Sequence, residues 1–77
     1  MFRELSRYEL ACGGVQEETI NNHWVQLWHE AETYHIRMGE TGKKWLKWEM
    51  FDSGYDDPLW LARQKYSEFK KEIQNGN

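Results

Sequence analysis

The sequence predicts an α+β domain in which an antiparallel sheet packs against one C-terminal helix. Three segments alternate apolar and polar side chains with a period of two, which is typical of strands, and an apolar stripe at helical spacing follows residue 57. At 77 residues the chain is expected to be a single domain spanning residues 1–77. Five Trp, four Tyr and three Phe supply the large side chains that a dense small core needs.

The alternating segments predict a three-stranded antiparallel meander, and they cover residues 23–31, 33–38 and 43–51. A tight turn between the first two strands pairs Leu27 with Ile36. A turn centred on Thr41 then pairs Tyr34 with Trp48. Both registers gather the apolar side chains on one face, and a slip of one residue would reverse the faces of one strand. We therefore expect Trp48 to be buried in the core, with Leu46 and Met50 on the same face.

The C-terminal helix is predicted to begin at Asp57 and Pro58, because aspartate caps a helix and proline suits the first helical position. Its apolar stripe comprises Leu59, Ala62, Tyr66, Phe69 and Ile73. The N-terminal segment allows two interpretations. Good helix formers at residues 3–11, followed by two glycines, favour a helix, whereas the alternation of residues 8–12 would suit a fourth strand.

The opposite, outer face of the predicted sheet carries large rings and cations. Its members are Trp24, Trp28, His35, Arg37, Trp45 and Lys47. Trp and Arg concentrate binding energy at protein interfaces, so this face is a candidate partner-binding surface. There are two alternatives. The rings and cations could satisfy one another in a surface ladder of cation–π contacts, or the N-terminal segment could cover the face through Phe2, Leu5 and Tyr8.

A second candidate surface lies where the third strand leads into the C-terminal helix. Trp60 projects roughly opposite the apolar stripe of the helix, at about 100° per residue. An apolar patch with an acidic rim suits a partner with a basic rim. The apolar patch would comprise Tyr55, Trp60 and Leu61, and its acidic rim would comprise Asp52, Asp56 and Asp57. Alternatively, Trp60 folds back over the loop that holds Tyr55.

The sequence contains no pattern typical of a catalytic or metal-binding site. His23, His29 and His35 recur every six residues, but on extended strands the first two are about 20 Å apart. The third faces the other side of the sheet, so the three cannot share a metal ion. We therefore expect no catalytic residues, no metal and no cofactor, and predict that the chain is not an enzyme.

The composition also limits location and partners. The lone Cys12 cannot form an internal disulfide, the start of the chain has no signal-peptide pattern, and no apolar run approaches the ~20 residues of a membrane span. A cytoplasmic protein without membrane contact is expected. The net charge of -3 argues against a protein that binds nucleic acid by positive charge alone.

In size, acidity and sheet-plus-helix architecture the whole chain resembles the small inhibitors that bacteriophages and mobile elements encode against host defence, in particular the anti-CRISPR proteins. This resemblance implies a viral, non-enzymatic inhibitor in the host cytoplasm that binds a larger protein or ribonucleoprotein complex. Its carboxylates would take the place of phosphates against Lys and Arg of the host. The residues alone also allow a module that binds single-stranded nucleic acid, with bases stacked on the outer tryptophans. Monomer and homodimer both stay open.

Overall fold

The computed structural model describes residues 3–76 and confirms the α+β fold, with a four-stranded antiparallel sheet packed against the C-terminal helix. The strands follow one another across the sheet in the order β1-β2-β3-β4, which is a simple meander. No helix among the described residues is long and apolar enough to cross a membrane. The elements are α1 (Arg7–Ala11), β1 (Gln16–Ile20), β2 (His23–Glu30), β3 (Thr33–Glu40), β4 (Trp45–Asp52) and α2 (Pro58–Asn75).

Two-residue turns connect the first three strands. Both residues of each turn have positive φ, at 48° and 64° for Asn21 and Asn22 and at 52° and 62° for Ala31 and Glu32. This is the signature of the type I′ turn, whose twist matches that of the strands it joins. Asparagine adopts this conformation readily. The turn at Asn21 and Asn22 therefore lets the polar segment before β2 pair with it as β1, although the composition of that segment did not predict a strand.

The N-terminal segment is helical at Arg7–Ala11, as the favoured interpretation of that segment predicted. Ser6 caps the helix, since its hydroxyl accepts a hydrogen bond from the Glu9 N–H at 3.2 Å and the Glu9 carboxylate accepts one from the Ser6 N–H at 2.9 Å. Arg3 and this N–H hold the pKa of the Glu9 carboxyl at about 2. Leu10 is fully buried among the core residues.

The described part of the N-terminal segment, from residue 3 onward, does not cover the outer face of the sheet. Leu5 packs against the core on the helix side, and Tyr8 is exposed. Phe2 lies outside the described residues. The covering role predicted for Leu5 and Tyr8 is therefore wrong.

The core lies between the sheet and α2. The first hairpin register is confirmed, since Leu27 pairs with Ile36 and both side chains are completely buried. The predicted helix stripe is also confirmed, because the buried residues of α2 are Leu59, Ala62, Tyr66, Phe69 and Ile73. Val25, Tyr34 and Met38 complete the sheet side of this core.

The predicted register of β4 is wrong. Ile36 pairs with Glu49, and Arg37 pairs with Trp48. Two features cause the shift: the loop between β3 and β4 extends to residue 44, and an irregularity between Met38 and Gly39 inserts one extra residue into β4. An extra residue reverses the faces of a strand, so Trp48 lies on the outer face. Leu46 and Met50, also expected in the core, are 57% and 55% exposed.

Candidate functional site

The outer face of the sheet presents a continuous cluster of rings around one arginine, which we call the tryptophan face. Strand alternation and pairing bring its members together from β2, β3 and β4. Trp45 and Trp48 are 47% and 42% exposed, so the cluster is open to a partner on the β4 side. The tryptophan face comprises Trp24, Trp28, His35, Arg37, Trp45, Trp48 and Met50.

The rings of the tryptophan face pack against one another. Trp28 and His35, which are cross-strand partners, stack with centroids 5.0 Å apart and planes inclined by 10°. Trp48 lies 6.0 Å from His35, and Trp45 meets Trp48 edge to face at 5.7 Å. Such contacts add about 0.5–1.5 kcal/mol per pair beyond area burial and fix the rings in place. The exposed rings are therefore held in a defined arrangement before any partner binds.

Arg37 lies at the centre of the cluster, with its guanidinium carbon 5.5, 5.3 and 5.8 Å from the ring centroids of Trp24, Trp28 and Trp48. These distances are those of cation–π contacts. One terminal nitrogen of Arg37 donates to Gln26 Oε1 at 3.3 Å, while the buried Nε has no hydrogen-bond partner. The charge of Arg37 is thus directed largely toward indole rings of its own chain.

Gly39 makes this packing possible. A Cβ atom at this position would lie 2.6 Å from Cζ2 of Trp24 and 2.9 Å from Cα of Trp45. The Trp24 ring therefore extends over the glycine toward β4. A glycine inside a strand is typical of a bulge or of a close approach, and Gly39 is the signal that could have indicated the β4 shift from sequence alone.

A shallow depression of about 270 Å³ opens on the same side of the sheet. It is lined by Val15, Gln26, Trp28 and Arg37. Val15 is half exposed beside these residues and extends the apolar surface toward β1. The depression is wide enough to accept part of a partner's side chain, but its shape does not enclose a small molecule.

Carboxylates lie at the margin of the tryptophan face. Glu17 and Glu30 accept hydrogen bonds at 3.4 Å from Gln26 and from the Trp28 indole respectively. Asp52 lies on the same face at the end of β4, opposite Thr33. We call Glu17, Glu30 and Asp52 the acidic margin. Sequence reasoning missed Glu17 and Glu30, because their position at the margin depends on the pairing of β1 and on the end of β2.

Lys47 was predicted on the outer face and lies on the opposite one. It pairs with Met38, whose side chain is in the core, and it forms an ion pair with Glu72 of α2. Trp24, Trp28, Arg37 and Trp45 are on the outer face as predicted. The outer face therefore lacks Lys47, which was predicted there, and contains Trp48 and Met50, which were predicted in the core.

The second predicted surface is only loosely assembled. Tyr55 contacts the ring of Phe51 edge to face at 5.3 Å, and Trp60 on the first turn of α2 is 56% exposed. Asp57 caps α2 by accepting from the Trp60 N–H at 3.1 Å, and Asp52 accepts from the Gly54 N–H at 2.9 Å. Two of its three aspartates, Asp52 and Asp57 but not Asp56, therefore bond to the local backbone.

The described part of the chain contains no group of three or more His, Cys, Asp and Glu side chains that could hold a metal ion. His35 lies on the tryptophan face. On the other side of the sheet, the rings of His29 and Tyr34 are in contact, with centroids 4.5 Å apart and planes inclined by 45°. Comparison with known proteins finds no matching family model, no matching curated protein and no matching solved structure.

Proposed function

We propose that this chain is a non-enzymatic inhibitor that binds a protein partner through the tryptophan face and blocks a basic, nucleic-acid-handling surface of a host complex. The observation that carries the proposal is the arrangement of this face, with indole rings at the centre and carboxylates at the edge. Protein interfaces have the same arrangement, in which an aromatic centre supplies affinity and a polar rim surrounds it.

Charge favours a partner with basic residues around an apolar patch. The chain has a net charge of -3, and the acidic margin places three carboxylates beside the exposed rings. Surfaces that bind DNA or RNA are rich in Lys and Arg, so they are complementary to this margin. The resemblance to anti-CRISPR proteins adds the class of target, an RNA-guided effector complex of the host.

Single-stranded nucleic acid fits the tryptophan face less well. Bases can stack on exposed rings such as Trp45 and Trp48, but such sites also need cations along the phosphate backbone. Arg37 is surrounded by indoles, and Lys47 is paired with Glu72 on the other face. The carboxylates of the acidic margin would repel phosphates.

The proposal is tested by adding the chain to purified, guide-loaded CRISPR effector complexes of several types and measuring how much target DNA each complex binds. We expect the wild-type chain to reduce DNA binding by at least one complex. The Trp48→Ala variant should lose this effect, because Trp48 is nearly half exposed and contacts both Trp28 and Trp45. Trp60→Ala is the matched control, since Trp60 is an even more exposed indole outside that face.

Three outcomes would contradict the proposal. The first is that no effector complex loses DNA binding. The second is that Trp60→Ala abolishes inhibition and Trp48→Ala does not, which would assign binding to the start of α2. The third is saturable quenching of tryptophan fluorescence by single-stranded DNA or RNA that weakens with salt, which would favour the nucleic-acid-binding module.

The role of the acidic margin is tested with Glu17→Gln and Glu30→Gln together. Glutamine keeps an oxygen that can accept the existing hydrogen bonds, so the fold is not expected to change. Inhibition should weaken, and it should become less sensitive to salt, because rim charges act mainly through long-range attraction. Unchanged salt dependence would exclude phosphate mimicry by these two residues.

A further inference from the structure

Strand β4 is an open edge of the sheet. It lies at one end of the strand order, and every residue in it except Phe51 is exposed. The segment contains no proline, and its exposed large apolar residues include Trp45, Leu46, Trp48 and Met50. A long apolar edge strand presents unpaired N–H and C=O groups and pairs readily with another strand unless something blocks it.

The edge at the other end of the sheet is shorter and less apolar. Strand β1 has only five residues, Gln16–Ile20. Its Glu18 carboxylate accepts from the Tyr66 hydroxyl at 3.2 Å and forms an ion pair with Lys70 at 3.1 Å. Short length and charge are two ways in which proteins prevent edge pairing. Strand β4 is longer, at eight residues, and its irregularity lies near its start, so the pairing of residues 47–52 is regular.

The hairpins determine which backbone groups of β4 face outward. The two-residue turn makes Glu30 and Thr33 a hydrogen-bonded pair, and antiparallel pairs alternate between bonded and non-bonded. Tyr34 and Ile36 of β3 therefore direct their backbone N–H and C=O groups toward β4. Their partners in β4 are Phe51 and Glu49, whose backbone groups face β3. Those of the residues between them and beside them, such as Trp48 and Met50, face the open edge.

We propose that β4 pairs antiparallel with β4 of a second copy of this chain, with the two-fold axis at Trp48. In this register the outward backbone groups of the two strands face each other. Lys47 of each copy lies opposite Glu49 of the other, so two pairs of opposite charge form. An axis at Lys47 or at Glu49 would instead place two like charges directly opposite each other.

The same register also matches the apolar residues of the edge. Leu46 of one copy lies opposite Met50 of the other, and the two Trp48 residues are neighbours on the outer face. These residues are among the most exposed apolar side chains of the chain. Dimerisation would therefore cover part of each and join the two sheets into one, with a continuous tryptophan face on one side. This inference does not depend on the proposed function.

The experiment is sedimentation equilibrium of the wild-type chain, of Lys47→Glu, of Glu49→Lys and of an equimolar mixture of the two variants. We expect a wild-type dimer. Each single variant should dissociate with a dissociation constant at least about tenfold higher, because both charge pairs become pairs of like charge. The mixture should form dimers again, because each copy then supplies the charge that the other lacks.

Lys47→Glu also removes the ion pair with Glu72, so circular dichroism and thermal unfolding are measured for each variant. Glu49→Lys does not touch that pair and is the cleaner single variant. A wild-type chain that stays monomeric from micromolar to near-millimolar concentration overturns the proposal. A dimer that survives both single reversals, or a mixture that stays monomeric while both variants are folded, overturns the register and with it the proposal.

Discussion

Both faces of the sheet carry large apolar side chains, but the two faces use them differently. On the helix side, Val25, Leu27 and Ile36 have no exposed surface, and α2 covers them. On the outer side, Trp45 and Trp48 retain nearly half of their exposure, and no described element covers them. On the helix side, burial alone is enough to order the side chains. The outer face is ordered by contacts among rings and with one cation.

This difference indicates which face maintains the fold and which one is available to partners. Side chains that are already fully buried gain nothing from a partner. Half-exposed rings in a fixed arrangement still have surface to bury and lose little side-chain entropy on binding. Substitutions on the helix side should therefore reduce stability, and substitutions on the outer side should mainly reduce binding.

The largest expected effect is on the helix side. Leu27→Ala should lower the free energy of unfolding by about 2–5 kcal/mol, because it leaves a cavity among fully buried neighbours. Trp45→Ala, on the outer face, should cost less, about 1–2 kcal/mol, because nearly half of the Trp45 side chain is already exposed and one ring contact, that with Trp48, is lost. Urea unfolding at one fixed protein concentration measures both. Equal losses in the two variants would contradict the division between the faces.

A smaller effect is expected at Gly39, where the outer face depends on the absence of a side chain. Gly39→Ala should destabilise the chain by about 1–3 kcal/mol, because the added methyl would overlap the Trp24 ring and the backbone of Trp45. Near-ultraviolet circular dichroism should change as well, since Trp24 has to move. Gly42→Ala in the β3–β4 loop is a useful comparison, because its φ of 81° makes substitution costly without any contact to the tryptophan face. A stability loss at Gly39 without a change in the tryptophan signal would contradict this packing.

Alternation and turn residues were enough to predict the elements from β2 to α2 and the register of the first hairpin. They were not enough for β4, because its two sets of side chains are almost equally apolar. Leu46, Trp48 and Met50 alternate with Trp45 and Phe51, so hydrophobic pattern alone does not decide which set faces the helix. The choice depends on one extra residue opposite Met38 and Gly39, and on Arg37, which stabilises Trp48 on the outer side.

The sequence predicted only part of the candidate site, because the register of β4 was uncertain. Trp24, Trp28 and Arg37 belong to β2 and β3, whose register follows from a tight turn, and they were assigned to the correct face. Trp48 and Lys47 exchanged faces with the β4 shift. No local sequence feature indicates that Lys47 meets Glu72, since that contact joins residues 25 positions apart.

A smaller loss of stability than that of Gly39→Ala is expected at Arg37, the cation at the centre of the tryptophan face. Arg37→Gln should reduce the free energy of unfolding by about 1–2 kcal/mol, because contacts to three indoles are lost together. Arg37→Lys keeps the charge and loses the planar group that stacks on rings, so its cost should be intermediate. If glutamine is tolerated without loss, the rings rather than the cation hold the face together.

The smallest effect at neutral pH is expected on the helix side, at Tyr66. Its hydroxyl donates to the Glu18 carboxylate at 3.2 Å, and a hydrogen bond to a charged group contributes about 1.5–3 kcal/mol. Glu18 keeps its ion pair with Lys70 in Tyr66→Phe, so the loss of stability at pH 7 should stay near or below the lower end of that range. Burial, reinforced by the Glu18 carboxylate, raises the pKa of Tyr66 well above its ordinary value. The folded chain therefore keeps the hydroxyl protonated at a pH where the unfolded chain releases the proton.

The sign of the pH dependence follows from this difference. An unfolded tyrosine ionises near pH ~10, so the stability that Tyr66 contributes is complete below that pH and is lost as the pH rises above it. The wild-type chain should lose stability more steeply than Tyr66→Phe in alkaline solution, as measured by urea unfolding between neutral pH and about pH 11. Parallel curves for the two proteins would mean that Tyr66 ionises in the folded state as it does in the unfolded one. In that case the helix face would be open to solvent beside β1, and its contrast with the outer face would be weaker than the buried side chains imply.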